Sequence, residues 1–287
     1  MSVPAGDGPD GSPLSAEALK QLIEFLYRRT GMQLGAGKRY YIDRRVAERM
    51  AATGHELFSE YFALLRGDTG ELETFINAFT VNETYFYREE NQLRCLSSAL
   101  LPIVTAGRAP GDLVRIWSVP CSTGEEPFSI AIWLLENWAL VDAYHVEIVG
   151  SDINTRALSE ARAGRYGERS LARLPRNVVE DYFQPQPDGT WRIIWDLQES
   201  VTFTAVNLIE AGSVAAQGEF DIVFCRNVLI YFDDASRQAA AHNLRRSLRP
   251  GGYLCLGHSE SMTRINDQFE TCRFEDAIVY RRPPLGS

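Results

Sequence analysis

Several familiar ligand-holding signatures are missing from this sequence of 287 residues. No G-x-G-x-x-G follows a strand pattern, and no G-x-x-x-x-G-K-[ST] occurs, so neither common glycine loop is available to wrap phosphates. Five cysteines, at 95, 121, 225, 255 and 272, form no C-x-x-C pair. An odd, scattered set reads as reduced thiols, and no His/Cys/Asp cluster has metal-ligand spacing, so no metal is expected. Positive charge is the minority: 29 Lys and Arg against 38 Asp and Glu leave a formal net charge of −9. That argues against an extended nucleic-acid surface, which needs a basic stripe. No apolar run approaches the ~20 residues that span a bilayer, and the first residues lack the pattern of a signal peptide. A monomeric cytoplasmic protein without membrane insertion is the expectation.

What is present divides into two textures. Residues 1–14, rich in Gly, Pro and Ser, read as a disordered tail. Leu19, Leu22, Ile23 and Leu26 then fall at helical spacing, with Ser15 as N-cap and Gly31 as stop. Further helices are predicted over 38–53 (closed by Gly54), 57–66, a stretch with Leu72, Phe75, Ile76 and Phe79 on one face, and 89–105. From residue 112 short apolar runs alternate with helical stretches. The runs are 113–119, 145–151, 201–206, 220–225, 252–257 and 276–281, with helices near 127–137, 155–163 and 235–248. That alternation predicts an α/β domain with a mostly parallel, Rossmann-like sheet covered on both faces. "PDGT" at 187–190 marks a small antiparallel hairpin inserted at about 175–200. The expected organisation is a helical N-terminal domain over 15–88, a linker helix over 89–111 and the α/β domain over 112–287.

Ligands of open α/β sheets sit outside the carboxyl ends of the strands. The first strand there runs into Cys121-Ser122-Thr123-Gly124-Glu125-Glu126, and the second ends at Asp152. An acid at the second strand end is the ribose position of a nucleotide-binding fold. Two glutamates beside a pyrophosphate would repel it. The ligand is therefore read as an adenosine without phosphates and with positive charge, and S-adenosylmethionine fits. Taken singly, the acid pair could serve only the helix dipole, and Asp152 only a turn. The joint pattern on successive strand ends is what points to a site.

Five blocks carry a family resemblance: "NETYFYRE" (82–89), "CSTGEEPFSIA" (121–131), "SDIN" (151–154), "FCRNVLIYFD" (224–233) and "LRPGGYLCLGHSES" (248–261). In kind and order they resemble the CheR family of chemotaxis-receptor methyltransferases, over about residues 15 to 282. The resemblance implies an all-α N-terminal domain and an S-adenosylmethionine domain with a small β-subdomain. It implies methylation of receptor glutamates to methyl esters, leaving S-adenosylhomocysteine. By position, Asn82, Thr84, Arg88, Glu125, Asp152, Asn207, Leu208, Arg226 and Asn227 are its cofactor-binding residues, and Tyr231 reaches the methyl-transfer site. Some members dock a receptor's C-terminal tail on the β-subdomain. Val119-Pro120 stands where the family commonly has Ala-Gly.

An ionised glutamate is already a nucleophile at neutral pH, so no general base is required. Arg88 can hold a carboxylate with its planar fork, and Tyr231 can donate a hydrogen bond to it; these two are the catalytic candidates. The segment 38–50, "KRYYIDRRVAERM", carries Arg39, Arg44, Arg45 and Arg49 and should steer the protein toward glutamate-rich receptor helices. Two other readings stand beside this one: a methyltransferase acting on a small molecule, and a cofactor-binding scaffold or sensor without turnover.

Overall fold

Helix signals at the start of the chain become helices with caps. In the computed structural model, which describes residues 14–284, α1 spans Ala16–Thr30. The Ser15 side chain accepts from the Ala18 amide, and Gly31 closes the helix at φ 71°, a left-handed turn that glycine adopts without steric cost. Then follow α2 (Arg39–Thr53), α3 (Phe58–Gly67) and α4 (Thr69–Phe79). Residues up to Val81, together with Tyr231–Ser236, group as one unit. Its core takes Leu22 and Leu26 from α1, Ile42, Val46 and Met50 from α2, and Phe75, Ile76 and Phe79 from α4. Each such burial contributes about 1.5–3 kcal/mol. The tail expected at 1–14 lies outside the described residues except for Leu14. That residue is fully buried and belongs to the core.

Two corrections concern α2. Arg49 does not join an exposed basic stripe. It points toward α4, where it holds Glu71 through both oxygens at 3.0 and 2.5 Å, and Tyr61 donates to the same carboxylate at 2.7 Å. Val46 and Met50 set the buried face of α2, and Arg49 lies on its margin. Arg39 donates to the Leu14 carbonyl at 2.6 Å and pairs with Asp43. Arg44 and Arg45 stay outward, and both pair with Glu48 at 2.9 Å.

The second unit comprises Asn82–Ile230 and Arg237–Ser287. It begins earlier than expected, because Phe86, Tyr87, Leu93, Leu96, Leu100 and Leu101 are buried in the core of this unit. They come from the loop 82–89 and a helical run in which α5 (Glu90–Cys95) passes through a π-turn (Leu96–Leu100) into α6 (Leu101–Thr105). The remaining elements are β1 (Leu113–Ser118), α7 (Glu125–Asn137), β2 (His145–Asp152), α8 (Thr155–Ala163), β3 (Arg165–Tyr166), α9 (Glu168–Leu171), α10 (Arg176–Tyr182), β4 (Phe183–Pro185), β5 (Trp191–Ile193), α11 (Trp195–Ser200), β6 (Val201–Ala205), α12 (Ala211–Ala215), β7 (Phe220–Cys225), α13 (Asp234–Ser247), β8 (Leu248–Leu256), β9 (Glu270–Arg273) and β10 (Ile278–Arg281).

The main sheet has the order β6-β2-β1-β7-β8-β10-β9. Its first five strands are parallel, and β10 runs antiparallel to both neighbours. Every residue of β7 is buried, as befits a central strand covered on both faces. Chain order reverses at β1, between β2 and β7, and places a crevice at their carboxyl ends. The hairpin expected around "PDGT" is present as β4 and β5, and the two-residue β3 completes a separate sheet of order β3-β5-β4. The subdomain thus starts at Arg165, before the expected 175, and residues 195–200 form α11 rather than its last strand.

Candidate active site

The turn after β1 is shaped by close packing. Gly124 has φ +92°, and a Cβ there would come within 2.9 Å of the Ala161 Cβ and 3.1 Å of the Tyr166 hydroxyl. Tyr166 donates to the Thr123 carbonyl at 3.0 Å, which fixes the turn from the other side. Glu125 therefore enters α7 as its first residue with its carboxylate 2% exposed. One oxygen accepts from Thr123 Oγ1 at 2.6 Å and the other from Ser170 Oγ at 2.8 Å. Burial pushes its pKa up, and the two hydroxyls only partly offset that. No guanidinium or ammonium lies within ion-pair distance of Glu125 among the described residues. A buried carboxylate without a cation is costly, and this one faces a cleft of ≈ 480 Å³.

Asp152 ends β2 at 4% exposure. Its oxygens accept from the amides of Ser122 and Asn154, each at 2.8 Å. Burial raises its pKa against the pull of those amides. Each oxygen keeps a second lone pair for a ligand hydroxyl. Ser122 sits at φ +50°, and its buried hydroxyl has no hydrogen-bond partner among the described residues. The Val119–Pro120 bond is cis, and Val119 still donates to the Phe224 carbonyl at 2.8 Å.

Residues 82–85 line the cleft opposite the turn after β1, and the residues after them anchor the segment. Phe86 is wholly buried and meets Tyr166 and Phe183 edge-on at 4.8 and 5.1 Å. The Tyr87 amide donates to Ser129 Oγ at 3.0 Å. With those residues anchored, Asn82, Thr84 and Tyr85 line the cleft together with Thr123, Glu125 and Arg169. Arg88 donates to the Glu83 carbonyl at 2.6 Å, and its guanidinium lies 5.7 Å from the Tyr85 ring centre. Arg173 approaches the same ring at 6.0 Å. Among the described residues, none of Arg88, Arg169 and Arg173 is in ion-pair distance of a carboxylate. Glu83 also lines this rim. Tyr85, Arg169 and Arg173 were not anticipated; only their position beside the motif "NETYFYRE" or in the β-subdomain could have flagged them.

The other strand ends are organised by the backbone. The Asn207 side chain accepts from the Ile209 amide at 3.3 Å, and the Leu208 carbonyl accepts from Asn243 at 2.9 Å. Arg226 is 5% exposed; its guanidinium reaches Glu126 at 2.7 Å and the Arg88 carbonyl at 2.6 Å. Asn227 takes φ +59°. Glu260 holds that turn by accepting from the amides of Asn227, Leu229 and Gly257 at 2.7, 2.8 and 2.9 Å. Tyr87, Glu89, Ser122 and Asn227 are the non-glycine residues with positive φ among those described. They lie in the loop 82–89 and in the turns after β1 and β7, and each such strain costs about 1–3 kcal/mol. Tyr231 ends the short turn Leu229–Tyr231 and groups with the helical unit, where its carbonyl accepts from the Gln33 amide at 2.9 Å. The two catalytic candidates thus belong to different units.

A buried acid without its cation on the first strand end, an acid presented on the second, and an orphaned hydroxyl between them fit an adenosine that carries positive charge. With the sheet order above, they define an S-adenosylmethionine-dependent methyltransferase. Residues 17–80 match the family described as "CheR methyltransferase, all-alpha domain", and residues 82–278 match "CheR methyltransferase, SAM binding domain". The chain belongs to the CheR methyltransferase family. It is 44% identical over 265 residues to "Chemotaxis protein methyltransferase 2" of Vibrio cholerae, covering 92% of each chain. A Pseudomonas aeruginosa protein of the same description is 38% identical over 87% of this chain and 88% of its own. A "Chemotaxis protein methyltransferase" of Klebsiella aerogenes is 36% identical over 90% and 87%. No helix among the described residues is long and apolar enough to cross a membrane.

Proposed function

We propose that this enzyme methylates glutamate side chains on the cytoplasmic helices of chemoreceptors. The observation that carries this reading is the bipolar cleft: the carboxylate of Glu125 and the guanidinium of Arg169 line it, Arg88 stands beside it on the Glu83 carbonyl, and among the described residues none of the three is in an ion pair. A cationic methyl donor and an anionic acceptor are what such a cleft would bring together. The chemotaxis methyltransferases it resembles support the same assignment.

When bound, S-adenosylmethionine supplies a sulfonium-activated methyl group, which passes to a carboxylate oxygen and leaves a methyl ester and S-adenosylhomocysteine. The protein's part is placement. Glu125 attracts the cationic end of the donor, Asp152 accepts from its ribose, and Asn82, Thr84, Asn207, Leu208, Arg226 and Asn227 frame it. Arg88 orients the acceptor carboxylate through its fork, and Tyr231 donates to it. Positioning of this kind is worth up to about 7–11 kcal/mol, and no base is required. Arg44 and Arg45, with Arg39 nearby, present positive charge to the acidic receptor helix. The small sheet, followed by α11 with Trp195 64% exposed at its start, would take a receptor's C-terminal tail. The enzyme would act as a monomer in the cytoplasm.

The test is a labelled-methyl assay with receptor-containing membranes. Base-labile incorporation at glutamate is the expected result. Base-stable incorporation, or transfer only to small molecules, overturns the proposal.

A further inference from the structure

Glu89 belongs to no part of the site derived above, yet it anchors the residue on which catalysis is proposed to turn. Its side chain is 13% exposed. One oxygen meets His258 Nδ1 at 3.0 Å; the other accepts from Gln92 Nε2 at 2.9 Å and lies 3.4 Å from the Arg226 guanidinium. Gln92 is tied in turn to the Leu256 carbonyl at 2.6 Å, at the end of β8. Arg226 continues the chain. It donates to the Arg88 carbonyl at 2.6 Å and to Glu126 at 2.7 Å, and the second oxygen of Glu126 accepts from Ser118 Oγ at 2.8 Å at the end of β1. The two acids and one guanidinium therefore bridge β1, β7 and β8 beneath the loop that carries Arg88.

The backbone gives this network its purpose. Tyr87 and Glu89, on either side of Arg88, sit at φ +57° and +56°. Neither is a glycine, so the conformation persists only where surrounding contacts hold it. Arg226 grips the Arg88 carbonyl, and Gln92, Arg226 and His258 grip Glu89. Burial would raise the Glu89 pKa, but Arg226 and His258 outweigh it and keep the carboxylate ionised. A buried, charged clamp at the start of α5 is an expensive way to build a loop unless the pose of the residue between its jaws matters.

We infer that Glu89, through Arg226, is a positioning residue that sets the angle at which Arg88 meets the acceptor. This rests on the proposed role of Arg88. A misplacement of about 1 Å can cost on the order of 10²-fold in rate, so loosening the clamp should act on turnover. The experiment combines Glu89→Gln and His258→Ala with Arg88→Lys in the full chain. Turnover is measured with a glutamate-bearing helical receptor peptide, affinity with S-adenosylhomocysteine, and stability by thermal unfolding. Glu89→Gln should lower kcat about tenfold, with KM and cofactor Kd within about twofold. His258→Ala, at an exposed position that need not disturb folding, should lower it about threefold. Both losses should largely vanish in the Arg88→Lys background, because a residue acting through Arg88 has nothing left to position. Additive losses, a kcat unchanged in Glu89→Gln, or a kcat loss matched by the unfolded fraction would overturn the inference. A wild-type enzyme that leaves the peptide unmethylated would instead overturn the functional proposal.

Discussion

The two ends of the main sheet each bury an acid, and they treat it in opposite ways. At the amino end of β7, Asp221 is 2% exposed. It is bonded to Arg108, meets Arg249 at 3.1 Å and accepts from the Arg115 amide at 2.9 Å. A register shift between Phe220 and Ile222 places it where these groups converge. At the carboxyl end, Glu125 is buried to the same degree but has two hydroxyls and, among the described residues, no cation. An acid whose charge is matched within the protein is part of the fold. An acid left unmatched at a strand end shows which charge its ligand must bring.

The comparison breaks most visibly under exchange of each acid for its amide. Asp221→Asn leaves two guanidinium groups facing a neutral side chain. Those groups are partly solvated, so the loss should fall near the low end of the range for a broken buried pair, about 3 kcal/mol in urea unfolding. Cofactor affinity of the folded fraction should be unchanged. Glu125→Gln should do the reverse. Unfolding stability should hold or rise, while S-adenosylmethionine binding by calorimetry weakens by about 1.5–3 kcal/mol, the value of a hydrogen bond to a charged group. If Glu125→Gln unfolds the protein with no change in affinity, the two acids are alike and the contrast is wrong.

The pH dependences should also diverge between Glu125 and Glu89. Burial raises the folded-state pKa of Glu125 above its ordinary value of 4.5. In the window between 4.5 and that raised value the folded protein holds more protons than the unfolded chain, so this group adds stability as pH falls. A cation binds the ionised form, so S-adenosylmethionine affinity should fall over the same window. Glu89 is held below 4.5, so its stabilisation is full above 4.5 and is lost as pH falls through its lowered pKa. Affinity that stays flat as pH falls to 4.5 would take Glu125 out of the binding site.

Much of this was legible along the chain because the signals were local. Ser15, Gly31 and Gly54 cap their helices as expected, and 155–163 is a helix over those same residues. Glu125 and Asp152 are found at strand ends because strand, turn and helix follow one another in sequence. What stayed hidden depends on distant partners. Nothing near Arg49 shows that Glu71, 22 positions on, will take it from the surface. Glu89 and Glu260 look like ordinary acids until the strands bring them to Arg226 and to the Asn227 turn. β9 is mostly exposed and carries no alternation to read. The unit boundary at Asn82 rests on tertiary burial of Phe86 and Tyr87, which a short polar motif conceals.

Smaller effects belong to the proposed chemistry. Arg88→Lys keeps a charge and loses the fork, so kcat should fall further than a conservative exchange suggests, by about 1.5–3 kcal/mol in transition-state terms. Tyr231→Phe removes one neutral hydrogen bond and should cost about 0.5–1.5 kcal/mol. Both should leave thermal unfolding within a few degrees of the wild type. Rates at fixed saturating acceptor would check them, and a Tyr231→Phe loss larger than that of Arg88→Lys would invert their roles.

The smallest expected effect lies on α2, where exposure limits what a charge can do. Arg44 and Arg45 share Glu48, and their side chains are 65% and 35% exposed. Water and salt screen such groups, so each contributes only about 0–1 kcal/mol to any contact. Their value is in steering an acidic helix during approach. Reversing both to Glu should therefore raise the apparent KM for receptor several-fold, with kcat and cofactor affinity unchanged. The wild-type rate at low receptor should fall with salt as the Debye length shrinks from about 10 Å at 0.1 M to 3 Å at 1 M, and the double variant should lose that dependence. Arg49→Gln serves as the contrast within the same helix: with Glu71 left unpaired, it should lower stability and leave the salt dependence intact. If Arg49→Gln instead abolishes the salt effect while the protein stays stable, the basic stripe includes Arg49, and the inward pairing with Glu71 is not what holds it in solution.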